Sequence, residues 1–217
     1  VWAVEEVDHQ RHTVYCEQVK GKVPAYFGEC PGDIHTKVLE RMRLVLQEQK
    51  SYPYLMKNAV SRLQLARHVA RNSGVTEEPL ICLGGDMWCL FPWLGSYAFL
   101  AMERFLKCRC AGALKLTGLT GKEKENPYDL ELYERKMTPS RRYFIQFKMQ
   151  ADKRTFFRVL LEQERKPLDP MELVYPNEVP VFEKYDEYLP EELVKKGFAC
   201  GVLGIDEMRE RIRGWEM

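Results

Sequence analysis

The sequence lacks the residue groupings that most directly indicate a chemical function. Only four of its 217 residues are histidine, and none of its seven cysteines stands in a Cys-x-x-Cys pair. Structural zinc sites and small disulfide frameworks need such paired spacing. We therefore expect reduced thiols, most of them buried, and no structural metal.

Long apolar runs are also absent. Charged residues such as Asp86, Glu103 and Lys107 interrupt the apolar stretches well before the roughly 20 residues that a membrane-spanning helix needs. The sequence therefore predicts a cytoplasmic protein with no membrane partner.

The chain has little net charge. Its 33 basic and 32 acidic residues give a formal charge of +1, which excludes a uniformly polycationic nucleic-acid coat. Any function that depends on charge must be local. Hydrophobic residues make up 45% of the chain and aromatic residues 12%, so a substantial core is expected.

Phosphate-binding motifs are missing as well. A nucleotide-binding loop needs Gly-x-x-x-x-Gly-Lys-Ser/Thr after a strand, because its amides and lysine must reach two phosphates. The segment from Gly118 to Glu123 has the wrong spacing, and a carboxylate replaces the hydroxyl. Asp186-Glu187 resembles a helicase acidic box but lies among prolines rather than after an apolar strand. No cofactor is expected in this segment.

No catalytic grouping is predicted. Nucleophilic catalysis needs a serine or cysteine partnered by histidine, and none of the four histidines lies in such a motif. Paired carboxylates such as Glu191-Glu192 stand at a helix start, where the helix dipole explains them. An enzyme whose site is not recognised is kept as a third alternative.

Turn residues and hydrophobic periodicity predict an α+β fold, in which antiparallel hairpins form a small sheet packed with several helices. The sheet could close into a barrel. Strands are predicted at 2–7, 12–19, 80–83, 87–91, 112–117, 129–134 and 143–149. Helices are predicted at 36–49, 55–74, 97–108 and 153–163, and a pair of helices at 190–215. Asp33 is the predicted cap of the first helix, and Trp93 is expected to be buried.

The whole chain, 1–217, is interpreted as one domain. A subdivision is conceivable near 122–128, and prolines punctuate a connection at 167–180.

Charge is unevenly distributed along the chain. Residues 135–158 contain eight basic residues and one acid, Asp152, whereas residues 162–217 contain 14 acids and eight bases. The acidic tail could pack against the basic segment, which would make both structural. The sequence leaves that alternative open.

The predicted helix at 55–74 provides a second basic surface. It contains four cations and no acid. Helical spacing predicts a polar stripe opposite the core face of this helix. The stripe consists of Lys57, Ser61, Gln64, His68 and Arg71. Such a stripe could follow the phosphates of a nucleic-acid strand.

These two basic surfaces predict a nucleic-acid site. The candidate ligands are Arg67, Arg71, Arg141, Arg142, Lys148 and Arg154. Aromatic residues between the cations suit a single strand, because rings stack on bases while cations neutralise phosphates. Alternation nevertheless places Tyr143, Ile145 and Phe147 on one strand face, which favours the core for these rings.

Four segments, in this order, resemble the region that follows the motor domains in Lhr-type (large helicase-related) superfamily 2 helicases of the DEAD/DEAH-box class. The segments are Trp2 to Asp8 with its hairpin partner, the helix with Tyr54-Leu55 and Leu65-Ala66-Arg67, Leu90-Phe91-Pro92-Trp93-Leu94-Gly95, and Lys184 to Leu193. The resemblance covers most of the chain, and none of these motifs is catalytic.

The resemblance implies a non-catalytic accessory domain of an ATP-dependent helicase. Such a domain would bind or guide single-stranded DNA or RNA and brace the RecA-like and winged-helix domains of the same polypeptide. ATP and Mg²⁺ would be bound elsewhere in the parent protein, because this segment has no ATP-binding loop, DExH box or arginine finger. The candidate ligands come from the charge pattern and not from the resemblance.

The alternative is a protein interaction module that does not touch nucleic acid. Aromatic residues at Trp2, Trp88, Phe91 and Trp93 would then form a dry docking face.

Overall fold

The structure is a computed structural model that describes residues 2–8, 11, 13–18, 20, 33–119, 143–180 and 186–215. The chain divides into two compact units, residues 1–31 and 32–217. In the first unit, β1 (Trp2–Asp8) pairs antiparallel with β2 (Thr13–Gln18), as predicted.

The second unit contains a three-stranded antiparallel sheet in the order β3-β4-β5. Strands β3 (Leu80–Gly84) and β4 (Met87–Leu90) form the predicted hairpin, and β5 (Ile145–Lys148) pairs with β4. Gly84 and Gly85 both have positive φ, which the tight turn requires and glycine tolerates. Neither described sheet closes into a barrel.

Helices make up most of the second unit. Those described there are α1 (Thr36–Gln47), α2 (Lys57–Ser73), α3 (Ser96–Phe105), α4 (Ala111–Leu114), α5 (Lys153–Glu164), α6 (Glu191–Gly197) and α7 (Ile205–Arg213). Single π-helical turns, Leu106–Cys110 and Phe198–Val202, extend α3 and α6, and short 3₁₀ turns lie at Pro170–Leu173 and Asp186–Tyr188. Helices and antiparallel sheets together confirm the α+β prediction.

The core is built around α3. This helix is apolar on nearly every side and is buried along most of its length, which suits a central helix. It contacts α7, and both helices bury residues in the same apolar cluster as β4, β5 and α5. Phe147 of β5 stacks on Phe156 of α5 with ring centroids 5.5 Å apart. Trp93 is 6% exposed, which confirms its predicted burial.

Several local predictions were wrong. Residues 112–117 do not form a strand, because the helical segment continues through Leu114 and leaves only an isolated bridge from Thr117 to Lys148. The cap of α1 is His35, whose ring accepts from the Lys37 N–H, whereas Asp33 accepts a hydrogen bond from the Tyr97 hydroxyl. The predicted strand at 129–134 and the subdivision near 122–128 lie outside the described residues.

None of the described helices is both long enough and apolar enough to cross a membrane.

Candidate nucleic-acid interface

Helix α2 is attached to the rest of the unit along one side only. It contacts α1. Arg67 and Ala70 are buried, and Ala59, Val60 and Leu63 are half-buried. All five members of the polar stripe are exposed: Lys57, Ser61, Gln64, His68 and Arg71. The stripe therefore faces solvent, as its spacing predicts.

The exposed cations of α2 have no acidic partner among the described residues. Within the described part of the chain, no carboxylate pairs with Lys57, Arg62 or Arg71. By contrast, Arg41 of α1 donates to Glu48 at 2.5 Å. The surface of α2 thus carries uncompensated positive charge, which attracts anions most strongly at low ionic strength.

The helix pair α1–α2 is held in place by the segment before α1. Gly95 N–H donates to the Thr36 hydroxyl at 2.9 Å, and Ser96 N–H donates to the Ile34 carbonyl at 2.9 Å. A Cβ on Gly95 would lie 2.4 Å from the Ile34 oxygen, so only glycine permits this approach.

Arg67 is not part of the exposed stripe. Only 7% of the residue is exposed. Its Nε donates to the Val45 carbonyl at 2.9 Å and its Nη1 to the Lys50 carbonyl at 3.0 Å. The guanidinium therefore stabilises the connection between α1 and α2 and is not presented at the surface.

Lys148 and Arg154 are exposed cations on the other basic segment. Lys148 is the last residue of β5, and Arg154 lies in the first turn of α5. Neither forms an ion pair with a described carboxylate. The single acid of this segment, Asp152, caps α5 by accepting from the Thr155 N–H at 2.7 Å, and this hydrogen bond lowers the pKa of Asp152.

One ion pair connects the two basic surfaces. Lys153 of α5 donates to Glu78 at 2.5 Å, and Glu78 lies in the loop that follows α2. Arg43 of α1 donates to the carbonyl of Thr76 in the same loop, at 2.6 Å. The end of α2 that carries Arg71 is thus joined through this loop to the start of α5, which carries Arg154. Arg141 and Arg142 lie outside the described residues.

The described acids of the tail are engaged mainly by other arginines. Glu164 pairs with Arg209 and Arg213, Glu172 with Arg109, and Glu178 with Arg104. The described tail acids contact the basic segment through one pair, Glu162 with Arg158, which are four residues apart on α5. The described acids of the tail therefore do not neutralise Lys148 or Arg154.

Most aromatic residues of the basic segment lie in the core. Phe147, Phe156 and Phe157 are buried, as the alternation favours. Tyr143 is exposed, contrary to that prediction, because it precedes β5; Phe144 is also exposed. Among the described aromatic residues of this segment, these two rings are the ones exposed enough to stack on bases.

The described aromatic residues of the alternative docking face are buried or half-buried. Trp93 is buried, and Trp88 is half-buried with its indole N–H donating to the Met149 carbonyl at 3.1 Å. Phe91 is half-buried against Phe144, with centroids 5.4 Å apart. The side chain of Trp2 lies outside the described residues.

Sequence reasoning missed a cleft of about 510 Å³ near the start of α1. Its walls come from α1, the loop after α2, the turn containing Trp93, and the last turns of α7. Trp93 has φ of +53°, a left-handed conformation that is rare for a bulky residue. These walls are far apart in sequence, so no local pattern could have revealed them.

The prediction that most thiols are buried was wrong for the described cysteines, because Cys89 and Cys110 are buried but Cys16, Cys82, Cys108 and Cys200 are exposed. The described residues contain no cluster of three or more His, Cys, Asp or Glu that could hold a metal ion. Burial raises the pKa of Cys110 to about 12, and burial also raises the pKa of Cys108. Neither thiol is poised to act as a thiolate.

Comparisons of the chain with models of protein families, with curated proteins and with solved structures found no match.

Proposed function

We propose that this chain is a non-catalytic accessory domain of a cytoplasmic, ATP-dependent helicase of the Lhr-like kind, in which it holds or guides a single strand of nucleic acid. The observation that carries the proposal is the exposed surface of α2, where Lys57 and Arg71 on the polar stripe and Arg62 beside the core face have no acidic partner among the described residues. Bracing of the RecA-like and winged-helix domains of the same polypeptide belongs to the same proposal.

The dimensions of the stripe suit a strand. From Lys57 to Arg71 the helix rises about 21 Å, at 1.5 Å per residue. Successive phosphates follow about every 3.4 Å along one strand of duplex DNA, so the stripe is long enough to meet several of them. Contacts of this kind position a strand but do not read its sequence.

The role is positional, and ATP chemistry belongs to the motor domains. Because the sequence contains no phosphate-binding loop, we expect the purified chain not to hydrolyse ATP, with or without DNA. Turnover that is stimulated by nucleic acid and survives repurification would contradict this role.

A protein-docking role is the second candidate, and one observation favours it. Leu65 and Val69 lie one turn apart on α2 and are 64% and 57% exposed. Exposed apolar side chains at this spacing can dock a partner protein. Leu65→Ser with Val69→Ser should abolish that docking, whereas the affinity for a strand should change little.

Charge reversal tests the nucleic-acid proposal. Lys57→Glu combined with Arg71→Glu should weaken binding of single-stranded oligonucleotides to a similar extent for every sequence, as measured by fluorescence anisotropy. Lys166→Glu combined with Lys196→Glu is the control, because it makes the same change in net charge at exposed positions outside the stripe. Equal affinities for wild type and the stripe variant would overturn the proposal.

The same measurement tests the basic segment. Arg141→Glu combined with Arg142→Glu should weaken binding across sequences, as should Lys148→Glu combined with Arg154→Glu. Retention of wild-type affinity by both variants would assign the site to α2 alone.

A further inference from the structure

A small cavity of about 70 Å³ lies where α1 connects to α2. One wall is formed by α2, including Gln64 and Arg67, and the other by residues 49–52 and Leu55. Since one water occupies about 30 Å³ in the liquid, the cavity has room for one or two waters or for the oxygens of one phosphate group.

Arg67, one of the residues that line this cavity, has an unsatisfied donor. Its Nε and Nη1 donate to carbonyl oxygens, but its Nη2 is buried and has no hydrogen-bond partner among the described residues. The guanidinium carbon lies 5.7 Å from the centre of the Tyr52 ring. No described carboxylate pairs with Arg67. A buried cation that lacks both a counter-charge and one acceptor is costly, and an anion would remove both costs.

The other polar groups of the wall suit an oxyanion. Lys50, Ser51 and Gln64 can each donate a hydrogen bond. The carboxylate nearest in sequence, Glu48, is engaged with Arg41 and with the Tyr52 hydroxyl. Two hydrogen bonds lower the pKa of Glu48, and the one from Arg41 has a larger effect than the one from Tyr52.

Gln64 connects this cavity with the polar stripe, because it belongs to both. We propose that the cavity binds one phosphate oxyanion through Arg67 Nη2, with Lys50, Ser51 and Gln64 as further donors. Arginine is suited to this role by its planar, permanently charged donor group. The proposed function supplies the source of the phosphate, namely the backbone of a strand lying along the stripe.

Gln64→Glu tests the site without removing Arg67. The new carboxylate should pair with the free Nη2, raise the melting temperature and block the cavity. Calorimetric titration of the full chain with inorganic phosphate at constant ionic strength should show binding that Gln64→Glu weakens by about tenfold or more, the effect expected of a lost charged hydrogen bond. Gln163→Glu makes the same chemical change on α5, outside the cavity wall, and should bind phosphate like wild type.

A second arm distinguishes a free phosphate from a phosphate in a strand. Affinity for a single-stranded oligonucleotide should fall more in Gln64→Glu than in Ser61→Glu, which adds a charge to the stripe outside the cavity wall. If phosphate binds and Gln64→Glu weakens that binding, but no oligonucleotide binds, the site would be supported with free phosphate as its ligand. The proposed function would then be overturned.

The opposite result separates the two proposals in the other direction. In this result, Lys57→Glu with Arg71→Glu weakens oligonucleotide binding, Gln64→Glu and Ser61→Glu have equal affinities for the oligonucleotide, and phosphate does not bind. It would leave the proposed function standing and overturn the cavity site. Equal phosphate affinity in wild type and Gln64→Glu would also overturn the cavity site.

Discussion

Arg104 of α3 and Glu178 of the proline-rich connection form a buried, bidentate ion pair, with nitrogen–oxygen distances of 2.6 and 2.5 Å. Their side chains are 6% and 12% exposed. The guanidinium carbon of Arg104 contacts two rings, 4.6 Å from the centre of Tyr175 and 4.9 Å from that of Phe198. The pair therefore fixes the connection at 167–180 to the central helix.

Removing one charge of this pair should be more damaging than removing both. Glu178→Gln leaves a buried guanidinium without its counter-charge and should lower the free energy of unfolding by about 3–5 kcal/mol. Arg104→Met combined with Glu178→Met should recover much of that loss. Denaturant unfolding measures both, and a double variant that is less stable than Glu178→Gln would contradict the argument.

Trp93 is expected to be a core residue rather than a docking residue. Trp93→Ala should destabilise the chain by about 3–5 kcal/mol, as truncation of a large buried aromatic residue does. Thermal and denaturant unfolding provide the measurement. An unchanged melting temperature combined with the loss of a partner protein would instead support the docking-face alternative.

The close approach at Gly95 predicts a matched pair of variants. Gly95→Ala forces a Cβ against the backbone of residues 34–36 and should destabilise the attachment of α1. Gly112→Ala meets nothing within 4 Å and lies in α4, so it should stabilise by about 0.4–1 kcal/mol. Hydrogen exchange should be faster in α1 for Gly95→Ala only; unchanged α1 exchange would contradict the close approach.

Glu164 makes stability depend on pH. Burial alone would raise the pKa of Glu164, but hydrogen bonds from Arg213 and Arg209 outweigh burial and hold that pKa below its ordinary value of 4.5. A lowered pKa in the folded state means that the carboxylate stabilises the fold above pH 4.5 and that this contribution is lost as pH falls below it.

The comparison with Glu164→Gln isolates this effect. At neutral pH the variant should be less stable by about 2–3 kcal/mol, since Arg209 and Arg213 lose their anion. The difference in unfolding free energy between wild type and variant should shrink as pH falls below 4.5. A difference that stays constant down to pH 3 would contradict the role of this carboxylate.

Local patterns predicted the elements well but not their partners. The apolar spacing that predicts helices at 36–49 and 55–74 is produced by one-sided burial of α1 and α2, and the hairpin at 80–91 follows from its Gly-Gly turn. That β5 pairs with β4 depends on residues far apart in the chain, such as Leu90 and Ile145. Such pairing leaves no trace in a local sequence pattern.

The candidate site was predictable to a similar extent. Spacing alone placed Lys57, Gln64 and Arg71 on an exposed stripe, because helical periodicity fixes which side chains share a face. Spacing places Arg67 on the same face of the helix as Val60, Leu63 and Ala70. Spacing could not show that the carbonyl oxygens of Val45 and Lys50, in and after α1, would accept the hydrogen bonds of Arg67.

The central claim is that α2 binds the phosphates of a strand, and the salt dependence of binding tests it most directly. Each phosphate contact on a single strand contributes about 0.7 to the slope of log affinity against log salt concentration. Lys57→Glu with Arg71→Glu should therefore lower the magnitude of that slope by about 1.4, while Lys166→Glu with Lys196→Glu leaves it unchanged. An affinity and slope equal to those of the wild type in the stripe variant would show that α2 does not contact the strand.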